Sequence, residues 1–97
     1  MNSEIIFLEV QFLQTAVVAK LQAQLGARIR ELRSAMGLSR EEYAARVKLS
    51  SRRVAALELG NGWPKPDTLQ RIARSFRLEV RDLFDFSSSR PIPRKPL

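Results

Sequence analysis

At 97 residues the chain has room for one domain and short arms, and its 44% hydrophobic content is enough for a modest core, which excludes wholesale disorder. Cysteine and histidine are both absent, which excludes disulfide staples, thiol chemistry, zinc fingers, imidazole bases and catalytic triads. The net charge of +7 is uneven: residues 1–24 carry Glu4, Glu9 and Lys20, a net of −1, and residues 25–97 hold +8, a balance that suits an anionic partner and that a solvated arginine-rich surface would also produce.

The first apolar run, Ile5-Ile6-Phe7-Leu8, is too short to cross a bilayer, and Glu4 does not suit the n-region of a signal peptide. A soluble, cytoplasmic protein without a membrane partner is expected. Over residues 5–13, strand spacing puts Ile6, Leu8, Val10 and Phe12 on one side and Glu9 and Gln11 on the other. The alternation predicts a strand. A lone strand is unstable in water, so this one would pair with its counterpart in a second subunit, making residues 1–14 an arm for dimerisation. The alternative is a helix packed on the chain's own core.

From about residue 15 to 35 the period becomes helical, with Leu21, Leu25, Ile29, Leu32 and Met36 recurring at three and four, and Gly37 supplies a stop. Ser39 followed by Glu42 forms a capping-box pattern for a helix over residues 40–47 that buries Tyr43, Ala44 and Val47. Lys48-Leu49-Ser50 makes a turn, and Ser50 or Ser51 caps a helix running to about residue 59, which buries Val54 and Leu57. Gly60-Asn61-Gly62 ends that helix. Pro66 then suits the first turn of another carrying Leu69, Ile72, Ala73 and Phe76, and a short helix over residues 80–84 adds Leu83 and Phe84. The reading is an all-α, five-helix unit over residues 15–86 with a disordered basic tail over residues 87–97.

Two short helices packed near a right angle need a small residue at their approach, and Ala44 supplies it, with Val47, Leu49, Val54 and Leu57 filling the shared core. IRELRSAMGLSREEYA, the Glu58-x-Gly60 pair, Pro64, LQRIARSF and the closing Leu83-Phe84 together resemble the Cro/phage-repressor (XRE-like) helix-turn-helix domain over about residues 25–84. The resemblance implies an ion pair between Arg33 and Glu58 that ties the first helix to the end of the recognition helix. It also implies a double-stranded DNA partner. Ser39 and Arg40 stand at the start of the first motif helix, where backbone N–H groups and an arginine meet phosphate. Ser50, Ser51, Arg52 and Ala56 face the groove, and Arg52 is the main base reader through its bidentate match to guanine. Arg53 serves the base or the backbone, Asn61 and Lys65 approach the sugar–phosphate chain, and Trp63 covers the core or a dimer contact, with a DNA contact as its alternative. Lys48 departs from the family's usual glycine and must accept a left-handed backbone. Lys65 and Glu79 replace the usual serine caps of the last two helices.

The resulting expectation is a sequence-specific transcriptional regulator, a repressor bound as a homodimer to a palindromic operator. An antitoxin with a partner toxin, or a restriction–modification controller, is the nearest alternative. A protein-interaction module that has lost DNA binding is a more distant one, opposed by the arginines at positions 40, 52 and 53. No enzyme, cofactor, metal site or small-molecule effector domain is expected.

Overall fold

The computed structural model describes residues 3–87 and contains five helices there: α1 (Ser3–Ala35), α2 (Arg40–Val47), α3 (Ser51–Glu58), α4 (Pro66–Ser75) and α5 (Val80–Leu83). This is the all-α, five-helix architecture that the periodicities indicate. Residues 88–97, nearly all of the expected tail, lie outside the described residues.

Residues 5–13 correct the sequence reading. They are helical, part of a continuous 33-residue α1, and not the expected strand. The alternative of a helix packed on its own core is corrected as well, since every residue from Ser3 to Lys20 is exposed. The physical reason lies downstream. Residues 21–35 are held helical by packing, and extending an existing helix costs little compared with starting one. No glycine or proline interrupts residues 3–25, so nothing stops the extension. No helix among the described residues is long and apolar enough to cross a membrane.

The core is built where the helical stripes converge. Leu25, Ile29 and Leu32 of α1 meet Val54 and Leu57 of α3, while Tyr43 and Val47 of α2 meet Ile72 and Phe76 from α4 and its end. Tyr43 stacks on Phe76 with ring centroids 5.1 Å apart, and its hydroxyl lies 2.8 Å from Ser75 Oγ. Burial pushes the Tyr43 phenol up to about 12, so it stays neutral and able to donate. Met36, grouped by period with the core, is instead 39% exposed, because it lies past the last turn of α1.

The turn between α2 and α3 depends on Lys48, which takes φ 58° and ψ 45°. The amide of Leu49 donates to the Ala44 carbonyl at 3.0 Å, which closes the end of α2. A side chain in this left-handed region is strained, whereas glycine is not. Lys48→Gly is therefore expected to raise the unfolding free energy by about 1 kcal/mol, read as a higher midpoint in a urea titration.

Candidate nucleic-acid interface

The placement of α3 depends on its two ends. At its start, Ser50 has extended backbone and its Oγ accepts from the Arg53 amide at 3.0 Å. That bond occupies one of the orphan donors of the first turn. Ser39 does the same for α2: its Oγ accepts from the Glu42 amide at 3.1 Å, and Glu42 Oε1 accepts from the Ser39 amide at 2.8 Å. These bonds hold the Glu42 carboxyl below the usual carboxylate range. Ser39 and Ser50 are thus both exposed and committed to capping.

At its far end α3 is clamped by charge. Glu58, with 1% of its side chain exposed, accepts from Arg33 Nε at 2.5 Å and from Arg33 Nη2 at 3.0 Å, a two-point fork between α1 and α3. Arg33 Nη1 also donates to the Leu38 carbonyl at 2.7 Å, so the guanidinium braces the loop before α2. Arg40 Nε adds a third donor to Glu58 Oε1 at 3.1 Å. Burial alone would push the Glu58 carboxyl up. The hydrogen bonds and charges of Arg33 and Arg40 outweigh it and hold the group below its ordinary value. The bond to Glu58, opposed by burial, raises the Arg33 guanidinium.

Between these anchors, Val54 and Leu57 face the core, and the opposite side of α3 carries Arg52, Ala56 and Leu59. Ser51 and Arg52 are exposed at the helix start, and Ala56 is half-buried. Arg52 makes no hydrogen bond or ion pair with the described residues. Arg53 is placed differently: its Nη2 donates to the Trp63 carbonyl at 2.9 Å and fastens the loop after α3. Arg40 is likewise partly committed to Glu58, but 45% of its side chain remains exposed. Asn61 and Lys65 are exposed on the loop leading into α4, and the Asn61 amide donates to the Ala56 carbonyl at 2.9 Å. Trp63 is 38% exposed and tilts against Phe84 at 6.3 Å. Bonds thus tie the start of α2 to the end of α3, through Arg40 and Glu58, and the start of α3 to its following loop, through Arg53 and Trp63, while the Arg52 side chain has no bonding partner among the described residues.

The profile of the helix-turn-helix family matches residues 29–83, more than half of the sequence. The chain belongs to the helix-turn-helix family. A curated relative, an uncharacterized HTH-type transcriptional regulator of Archaeoglobus fulgidus, is 37% identical over 59 residues, covering 61% of this chain and 84% of the relative. Among solved structures, the clp gene regulator ClgR from Corynebacterium glutamicum aligns with a TM-score of 0.63 and 24% identity, over 69% of this chain and 71% of that one. That likeness concerns the fold alone.

In this helix-turn-helix protein several structural residues escaped the sequence reading. A Cβ on Gly26 would lie 2.2 Å from the Leu57 carbonyl oxygen and 2.7 Å from that of Glu58, so Gly26 is where α1 lets the end of α3 approach. Sequence alone places a close approach at Ala44, between α2 and α3. Gly60, at φ +81°, answers from the other side, where a Cβ would lie 2.9 Å from the Ala23 Cα. Arg71 Nε donates to the Val47 carbonyl at 3.0 Å and fastens α4 to the end of α2. Leu59, 71% exposed, adds an apolar group to the outward face of α3. A glycine inside an otherwise helical stretch was the one available signal, and it pointed to Gly26.

Proposed function

We propose that the chain is a DNA-binding transcriptional regulator, a cytoplasmic repressor that acts as a homodimer on a palindromic operator. The observation that carries this reading is an exposed Arg52, its side chain without a bonding partner among the described residues, at the start of a helix whose two ends are fixed by a serine cap and a buried ion pair. A helix so held presents its first residues to the major groove, and an unengaged guanidinium can fork onto guanine O6 and N7 without first breaking an internal bond. The +8 borne by residues 25–97 supports an anionic partner. Arg40 and Lys65 flank α3 as phosphate contacts, Ser39, Ser50 and Ser51 offer hydroxyl or backbone donors, and Arg53 acts first as a brace for the loop that carries Asn61 and Lys65.

Two recognition helices related by a two-fold axis would meet half-sites about 34 Å apart. If each subunit neutralises about three phosphates, affinity should fall roughly a thousandfold between 50 and 200 mM salt. Footprinting on the DNA upstream of the chain's own reading frame would supply the site, and a titration of that duplex against a scrambled one would test the reader. Arg52→Ala is expected to weaken operator binding by about 1–3 kcal/mol while leaving binding to the scrambled duplex nearly intact. An unchanged ratio between the two duplexes would remove Arg52 from base reading.

A further inference from the structure

The N-terminal half of α1 is a large apolar surface that DNA binding leaves without a role. It lies outside the family match, which begins at residue 29. Nine large apolar side chains between Ile5 and Val18 are 41% to 72% exposed. Together they present on the order of 1,000 Å² of apolar surface spread around the helix, where a monomer seldom shows an apolar patch beyond a few hundred. At helical spacing seven of the nine fall into two stripes, and Phe7 and Val18 lie between them. Ile5, Leu8 and Phe12 form one. Ile6, Val10, Leu13 and Val17 form the other, at spacings of four, three and four. The second stripe has the a/d spacing of a coiled coil, with Val10 and Val17 at a and Ile6 and Leu13 at d.

We propose that the stripe Ile6–Val10–Leu13–Val17 packs antiparallel against the same stripe of a second copy of the chain. This rests on the homodimer reading above and assigns its interface. Charge selects the direction. Centred between Val10 and Leu13, the antiparallel pair layers Val10 on the partner's Leu13 and Ile6 on the partner's Val17, and places Lys20 opposite the partner's Ser3. The parallel pair would stack Lys20 on Lys20, which is unfavourable. Antiparallel overlap leaves the two globular units at opposite ends, with the Gly26 backbones that meet α3 about 44 Å apart along the axis at 1.5 Å per residue. Because α1 is continuous to Ala35 and its Gly26 backbone meets the end of α3, pairing at residues 6–17 is transmitted to the recognition helix as a rigid lever.

The test uses the full chain and needs no DNA. Sedimentation equilibrium should give twice the 11.1 kDa chain mass. Leu13→Glu, at an exposed position remote from the core, should return the monomer with Trp63 fluorescence unchanged, whereas Gln11→Glu, outside the paired stripe, should remain a dimer. Because the chain contains no cysteine, engineered thiols report direction cleanly. On oxidation, a mixture of the Ile6→Cys and Val17→Cys variants should cross-link to each other, and neither should cross-link alone. A tetramer giving the same mixed cross-link also supports the pairing, with the second stripe covered as well. Self-cross-linking of each variant alone, or a chain that stays monomeric up to its solubility limit, overturns it. A dimer that survives Leu13→Glu without the mixed cross-link overturns this interface and leaves the homodimer reading standing. A monomer that still protects an operator overturns the pairing and leaves DNA binding standing.

Discussion

Replacing Glu58 by alanine is expected to lower the unfolding free energy by about 3–5 kcal/mol, a large share of the roughly 5–15 kcal/mol that holds a small domain together. The size follows from what is left behind. Arg33 is only 9% exposed, so the variant keeps a nearly buried guanidinium without its carboxylate, and the desolvation cost that the pair had offset becomes unopposed. Arg40→Ala removes the other donor to the same oxygen, but its side chain is 45% exposed, and a loss below about 1 kcal/mol is expected. Urea titrations of the two variants measure both quantities, and equal losses would mean that the buried fork is not the anchor. Acidification provides an independent check. The Glu58 carboxyl titrates below its ordinary value in the folded chain, so its contribution is complete above the unfolded value of about 4.3 and fades as pH falls through the folded one. Glu58→Gln should flatten that acid limb, while the parent chain should lose stability through it.

How far sequence can carry this fold is clear from the contrast between two kinds of signal. Caps and helical stripes are local, and they were legible: Ser39 with Glu42, Ser50, Pro66 and the Leu25–Ile29–Leu32 stripe all act within a turn or two of themselves. The Arg33–Glu58 fork came only from family resemblance, since nothing in spacing joins residues 25 positions apart. Residues 5–13 were misread for a different reason. Apolar residues on nearly every side of a helix erase the 3.6-residue period, and part of the remaining pattern alternates like a strand. Their helicity comes from residues 21–35, which a local pattern does not include. Side-chain commitment at the interface was also hidden. The types of Arg40, Arg52 and Arg53 are alike, and only the structure separates one held by Glu58 and one held by the Trp63 carbonyl from one with no partner among the described residues.

Gly26→Ala is the substitution in which local and tertiary rules oppose each other most directly. Within a helix, glycine-to-alanine ordinarily gains up to about 1 kcal/mol, because alanine loses less backbone freedom on folding. At Gly26 the added methyl would sit 2.2 Å from the Leu57 carbonyl oxygen and 2.9 Å from the Glu58 carbonyl carbon. These are backbone atoms at the end of α3, clamped there by the Arg33–Glu58 fork, so no side-chain rotation relieves the overlap. α1 and α3 must separate, and that opens the layer formed by Leu25, Ile29, Val54 and Leu57. A net loss of about 3 kcal/mol or more is expected in chemical denaturation, at the upper end of overpacking costs. The neighbouring exposed Ala27 provides the control: Ala27→Gly should cost about 1 kcal/mol through propensity alone. Operator binding separates displacement from simple instability. At a temperature where Gly26→Ala is still folded by circular dichroism, its α3 is shifted against α1, and its affinity should fall further than that of Ala27→Gly. A Gly26→Ala chain that is more stable than the parent would show that the helices do not meet at this backbone, and the lever from α1 to the recognition helix would lose its fulcrum.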